Sequence, residues 1–257
     1  MITRLFALIF ALLWLPLAAF YVGNSADPKS IEEGVLTSPD DPVSIKFALI
    51  DDWTNGKELQ VVNGSDVSGY SRNGTGVSVN LDIRHRLNIY AYFMSNATSF
   101  SFKGIQNQPL YVQVKNSYAY VVEGQLIIFD SQNFTFSTWA QCMSEVDRLG
   151  ILKNNGVRVP IPNNTRLHSW EAQGGVQLGY TLNFLIPYIG WYYTYYSSRL
   201  SNLPPAFSPT PQVQFINPQK NGVVLGLTIS SHKYFSFNVE ARLLAETAVG
   251  TDLSIKF

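Results

Sequence analysis

From residue 43 onward, apolar and polar side chains alternate along the chain in run after run. Val43, Ile45, Phe47 and Leu49 stand against Ser44, Lys46 and Ala48; Val77, Val79, Leu81 and Ile83 stand against Ser78, Asn80, Asp82 and Arg84. Near the end, Phe235, Phe237, Val239, Ala241 and Leu243 oppose Ser236, Asn238, Glu240 and Arg242, and Leu253, Ile255 and Phe257 oppose Asp252, Ser254 and Lys256. Successive side chains of a strand point to opposite faces, so each run predicts a strand with one apolar and one polar face. Read this way, the chain holds about ten strands, near 43–51, 76–85, 87–96, 117–129, 134–143, 169–181, 184–197, 222–230, 234–243 and 247–257. The phase blurs in "FTFSTWAQCM", and Pro187 interrupts the seventh run; a bulge or a rim position would account for both.

The connections alternate in length. Short links fall at His85-Arg86, at 130–133, at Leu182-Asn183 and at 230–233, whereas the intervening links are long. Only the last connection, around Glu246, is brief where a long one is expected. Tight turns at one end and extended loops at the other are the layout of a membrane β-barrel. A soluble β-sandwich also alternates, but its strands are shorter and its loops do not sort by side. Aromatic residues gather at strand ends: Tyr118, Tyr120, Tyr192, Tyr193, Tyr195 and Tyr196 at the long-loop end, and Phe184, Phe235 and Phe257 at the other. Two such girdles are expected where amphipathic rings meet lipid headgroups. The fold expected is all-β: a closed antiparallel up-and-down transmembrane barrel of about ten strands, or eight.

Composition narrows the partners. Of 257 residues 14% are charged, and 18 basic residues balance 18 acidic ones, so no basic stripe exists for nucleic acid. Cys142 is the sole cysteine and cannot form an internal disulfide. Arg4 precedes the apolar run "LFALIFALLWLPLAAF", followed by small residues at Gly23, Ser25 and Ala26; residues 1–26 read as a Sec-type signal peptide cut near 25 to 26. Residues 27–42 then form an N-terminal periplasmic segment, and 43–257 the barrel.

The terminal Phe257 resembles the C-terminal signature of bacterial outer-membrane proteins. "FLIPYIGWYYTYY" is similar to a strand of the small opacity-type and adhesin-type barrel families, and "KYFSFNVEARLLAETAVGTDLSIKF" is similar to their closing hairpin. The resemblance implies a Gram-negative outer membrane, contact with its lipids and lipopolysaccharide, and recognition of Phe257 by the barrel assembly machinery. Apart from the resemblance, Pro204, Pro205, Pro209 and Pro211 stiffen one outside loop, and its apolar Leu203, Phe207 and Phe215 make it either a contact surface for a host molecule, a neighbouring barrel or lipopolysaccharide, or a lid folded over the barrel mouth.

For chemistry the inward positions matter most. Lys46, Arg84, Arg242 and Lys256 face Asp82, Glu123, Glu171, Glu240 and Asp252 in the predicted lumen, where pairing costs less than isolated charge. Such a network either fills the barrel or lines a narrow passive pore. The sequence carries no serine-hydrolase elbow, zinc-protease motif or phosphate loop. Alternation sends Ser169 and Glu171 to one face and His168 to the other, which separates the one Ser, His and carboxylate grouping of a barrel hydrolase. No catalytic residue, metal or cofactor is called for. A structural or surface-interaction role is the reading these positions favour.

Overall fold

The computed structural model describes residues 22–24, 35, 41–62, 66–104, 108–131, 133–205, 207–208, 210–231 and 234–257. The expected signal peptide and N-terminal segment lie outside these, apart from Val22–Asn24, Val35, Asp41 and Pro42.

Thirteen strands form, and no helix occurs among the described residues. They are β1 (Val43–Thr54), β2 (Leu59–Val61), β3 (Asp66–Ile83), β4 (Leu87–Lys103), β5 (Pro109–Ser131), β6 (Phe134–Asn154), β7 (Val157–Arg158), β8 (Arg166–Tyr180), β9 (Leu185–Ser201), β10 (Gln212–Ile216), β11 (Asn221–Ser230), β12 (Phe235–Leu243) and β13 (Ala248–Lys256). Ten of them, β1, β3, β4, β5, β6, β8, β9, β11, β12 and β13, pair antiparallel in chain order. β1 then closes the ring by pairing β13 from Lys46↔Lys256 to Thr54↔Ala248 while also pairing β3. All ten coincide with runs of alternation in the sequence. Closure leaves this ring no free edge.

The strands are unequal. β5 has 23 residues, about 75 Å along the strand, whereas β12 and β13 have nine each, about 30 Å. Above the short strands, β2 and β10 fill the gap: β10 pairs β9 and β2, and β2 pairs β3. A second ring of eight strands therefore closes above the first, running β3-β4-β5-β6-β8-β9-β10-β2. The segments read as long loops are mostly the walls of this upper ring, and the connection around Glu246 is brief because β12 and β13 end below it.

The two rings obey opposite rules. In the lower part of β4 the outward residues are Ile89, Ala91 and Phe93, with Asn88 buried inside; in the upper part Ser99, Ser101 and Lys103 face out while Phe100 and Phe102 are buried. β9 switches in the same way, from outward Ile189, Trp191, Tyr193 and Tyr195 to outward Ser197, Arg199 and Ser201 with Leu200 buried. In β8, Trp170, Val176 and Leu178 face out below, and above them Leu167 is buried while Arg166 and His168 face out. The backbone alternation continues; only the location of the apolar residues inverts. Register connects the switch points around the wall, through Thr75↔Ser95 and Ser95↔Tyr118 on one side and Val146↔His168 and His168↔Arg199 on the other.

Three expectations about orientation change. Tyr192 and Tyr196 are buried in the interior, 0% and 2% exposed, because adjacent residues cannot share a face with Tyr193 and Tyr195. Arg84 is exposed: with His85 it takes positive φ, 52° and 51°, in the tight turn between β3 and β4, and so leaves the alternation of the strand. β6 keeps its phase from Phe134 to Arg148, with unbroken register against β8 from Phe134↔Tyr180 to Arg148↔Arg166 and Trp139 pointing inward; the phase slips only above it, where Gln113↔Ile151 and Val114↔Leu149 skip Gly150. The outer face there looked mixed because Thr138, Ala140 and Cys142 are small.

Candidate functional site

The interior of the lower ring is packed with charge. Lys46, Asp82, Glu123, Glu171, Glu240, Arg242, Asp252 and Lys256 all lie inside, none more than 8% exposed. With Asp52, Lys57, Arg72, Glu145, Asp147 and Glu246, nine buried carboxylates meet five buried bases among the described residues. Near the turn end, Lys256 Nζ approaches Asp82 Oδ2 at 3.6 Å, and His85 Nδ1 meets the same oxygen at 3.0 Å.

At the level where the rings join, the charges form a chain. Arg72 Nη1 lies 3.6 Å from Glu171; Lys57 bonds Glu171 and reaches Glu246 at 3.2 Å; Arg242 approaches Glu240 at 3.5 Å, Asp52 at 3.6 Å and Glu246 at 3.7 Å. Lys57 also sits 4.7 Å above the ring of Tyr196. It descends from the β1–β2 loop, which is held by Asn55 N–H donating to Thr247 O at 3.0 Å. On the opposite wall β9 leaves β11 for β10. There Asn217 spans the junction, accepting from Tyr196 N–H at 2.8 Å and donating to Thr194 O at 3.1 Å.

Three residues of the expected signal peptide, Val22–Asn24, lie inside the lower ring. Glu240 accepts from Val22 N–H at 2.7 Å and Gly23 N–H at 3.0 Å; Gln125 donates to Val22 O at 2.9 Å, Gln177 to Gly23 O at 3.1 Å, and Asn24 Nδ2 to Thr228 Oγ1 at 2.8 Å. Every backbone polar group of Val22 and Gly23 thus meets a lumen side chain. Val22 packs with Trp139, Tyr188, Tyr192, Val224 and Ala245. A cut near residues 25 to 26 would remove this tripeptide from the mature chain.

Above the charges the interior is apolar. Leu59, Tyr70, Phe100, Phe102, Leu110, Val112, Val114, Leu152, Leu167, Tyr196, Leu200, Leu203 and Phe215 form one buried cluster, to which all eight strands of the upper ring contribute. Leu203 and Phe215, in the proline-rich segment between β9 and β11, are buried in this core rather than on an exposed contact surface, because β10 folds the segment back onto β9. At its mouth lies a cleft of about 560 Å³, with Val61, Phe102, Phe207 and Val213 among its apolar lining and Ser208, Thr210 and Gln214 among its polar groups.

The girdle positions divide by level. Phe184, Phe235 and Phe257 are exposed at the turn end, Phe257 edge-on to Phe47 at 5.6 Å between centroids. Tyr118, Tyr120, Tyr193 and Tyr195 are exposed at the other, with Phe93 stacked on Tyr118 at 5.4 Å and Trp170 against Tyr195 at 5.6 Å. Ser169 bonds Ser198 and Tyr196 inside, while His168 faces out. Asp51 and Asp52 face opposite sides, Asp51 accepting from Thr75 at 2.7 Å and Asp52 facing Arg242. Among the described residues no cluster of three or more His, Cys, Asp or Glu could hold a metal.

Sequence reading missed Lys57, Arg72, Glu145, Asp147 and Glu246, since it placed them in loops. The signal was present: alternation continues from Ser78 up β3 through Arg72 to Tyr70, with its apolar phase inverted.

No protein-family model matches the chain, and no curated protein sequence matches it. Solved structures that align with it include the outer membrane protease OmpT from Escherichia coli (10% identity, 84% of this chain, 95% of that one, TM-score 0.42). Others are the transport unit of the autotransporter AIDA-I from Escherichia coli (13%, 91% and 96%, TM-score 0.41) and the COG4313 outer membrane channel from Pseudomonas putida F1 (10%, 86% and 98%, TM-score 0.40). Similarity at this level carries no activity to the chain. The fold rests on the chain's own strand pairing: a closed antiparallel barrel of ten strands, carrying a second ring of eight.

Proposed function

We propose that this protein is an outer-membrane β-barrel whose lower ring spans the bilayer with a sealed lumen and whose upper ring, standing outside the cell, performs a structural or surface-interaction role. The observation that carries this reading is the inversion of the apolar face at one level of the wall. Below that level, outward Val, Leu, Ile and aromatic side chains suit lipid; above it, the outside is polar and the core is apolar, as water requires. A ring of ten strands is little wider than one that side chains alone fill, and the buried charged side chains crowd its cross-section. That favours a plugged lumen over a pore. The cleft at the upper mouth is of ligand-binding size, which favours contact chemistry at the exposed end. In this reading Phe257 is the mark for barrel assembly.

The test is conductance of the chain, recovered from outer membranes and shown to be folded by boiling-dependent gel mobility, in a planar bilayer. A folded, silent barrel is expected. Steady single-channel steps would replace the sealed lumen with a passive pore, and absence of the chain from the membrane fraction would end the outer-membrane reading.

A further inference from the structure

Just above the level where the apolar face inverts, three adjacent strands turn basic side chains outward. Arg148 on β6 is the direct cross-strand partner of Arg166 on β8, and His168 on β8 is the partner of Arg199 on β9. All four are exposed, while their neighbours Asp147, Leu167 and Leu200 are buried within. Directly opposed residues on one face have Cβ atoms about 5 Å apart, and residues two apart on a strand about 7 Å. Three guanidinium groups and an imidazole therefore share a patch small enough for a single headgroup. Lys220 lies lower on the same wall, 5.5 Å from the ring of Tyr195 and 6.0 Å from that of Tyr193.

This arrangement is costly if nothing binds it. Like charges directly opposite one another destabilise a sheet. Arg148, Arg166 and Arg199 have no carboxylate partner among the described residues, because Glu145, Asp147 and Glu171 on the same strands point into the barrel. Inside the barrel Lys57, Arg72, Arg242 and Lys256 pair with acids; here, on an outer wall, the strands present bases alone. Immediately below stand Trp170 and Tyr195 in edge contact, outward and exposed, marking the depth of the headgroups.

We infer that the Arg148, Arg166, His168 and Arg199 face is a binding site for the phosphate groups of a lipid A-type glycolipid in the outer leaflet. The inference rests on the outer-membrane reading above and adds to it a specific site, with its residues and the ligand groups they take. Guanidinium groups pair with phosphate oxygens through two parallel N–H bonds. The sugar backbone would rest on the aromatic shelf formed by Trp170 and Tyr195, and the acyl chains would descend along the apolar wall that includes Val176, Leu178, Ile189 and Trp191, exposed in the structure. Three arginines and a histidine spread over three strands, Arg148 opposing Arg166 and His168 opposing Arg199, suit more than one anionic group, which is why a ligand carrying two phosphates is assigned rather than a phospholipid carrying one.

The experiment uses the full chain folded in detergent micelles, with folding confirmed by boiling-dependent mobility, so that a failure to bind is distinct from a failure to form the barrel. Retention of purified diphosphoryl lipid A, of its enzymatically dephosphorylated form and of phosphatidylglycerol is measured by native mass spectrometry. Wild type is expected to retain diphosphoryl lipid A at least tenfold better than either comparison lipid, and added salt should weaken that retention. The variant carrying Arg148→Gln, Arg166→Gln and Arg199→Gln should lose it with unchanged mobility, whereas Arg84→Gln with Arg86→Gln, at the other end, should not. Equal retention by wild type and triple variant, equal retention of phosphatidylglycerol, or no retention by a folded wild type would each overturn the assignment.

Discussion

Lys57 Nζ lies 3.2 Å from Glu246 Oε2, joining the loop that leaves β1 to the turn between β12 and β13 at the level where the ring of ten gives way to the ring of eight. Both side chains are fully buried, and Lys57 also holds Glu171 on β8. One lysine thus ties the low wall of the barrel to the high wall.

Removing that tie should be expensive. Lys57→Met leaves two buried carboxylates short of a cation, and breaking a buried pair in this way costs about 3 kcal/mol or more. The expected result is a lower urea midpoint for the barrel refolded in lipid vesicles. Adding Glu171→Gln to Lys57→Met should restore part of the loss, since it removes one of the stranded charges.

The upper ring should melt by itself. Phe215 is 1% exposed and packs edge-on to Phe100 and Phe102, at 5.1 and 5.2 Å between centroids. Phe215→Ala should cost about 3 to 5 kcal/mol, read as faster protease cleavage within residues 55–62 and 203–216. The lower ring shares none of that core, so boiling-dependent mobility should survive.

On β11, two glycines make room for tyrosines of β9. Gly222 is registered with Tyr192 and Gly226 with Tyr188, and a Cβ at either glycine would fall 2.1 Å from the partner ring. Tyr188 cannot swing away freely, because its hydroxyl donates to Glu240 at 3.0 Å and accepts from Asn238 at 3.0 Å. Gly226→Ala is expected to destabilise the barrel by about 1 to 3 kcal/mol, measured by the same urea unfolding.

The Val22–Asn24 tripeptide is checked by chemistry between two side chains. Asn24 Nδ2 and Thr228 Oγ1 are 2.8 Å apart. Asn24→Cys with Thr228→Cys, in a Cys142→Ser background, should form an intramolecular disulfide when copper-phenanthroline and oxygen accept the two electrons. The product would be lighter by two hydrogens. Asn24→Cys paired with Leu253→Cys, which faces outward, should not link. A mature chain whose mass places its first residue beyond Asn24 would remove the tripeptide from the lumen.

The ten lower strands were legible because an apolar outer face and a polar lumen impose strict alternation on them. What was harder to read followed from the same physics. In "WYYTYY" four tyrosines cannot share one face, so Tyr192 and Tyr196 belong to the interior although their composition suggests a girdle. The upper ring escaped notice because its strands invert the lower rule: Phe100, Phe102, Leu110, Val112 and Val114 alternate with polar neighbours as any water-soluble sheet does. β2 and β10, with three and five residues, are too short to carry a period of their own. Lys57 could be placed only after the loop containing it was seen to fold inward over Thr247.

The measurement that reaches the central claim most directly is a nitroxide scan along the outward face of β4, at Ala91, Phe93, Ala97, Ser99 and Ser101, in the Cys142→Ser protein reconstituted in lipid vesicles. Collision with oxygen should dominate at Ala91 and Phe93, and collision with a water-soluble nickel chelate at Ala97, Ser99 and Ser101, with the crossover near Ser95. Access to the nickel chelate at every position would contradict a membrane-spanning lower ring, and oxygen dominance at every position would contradict an upper ring standing in water.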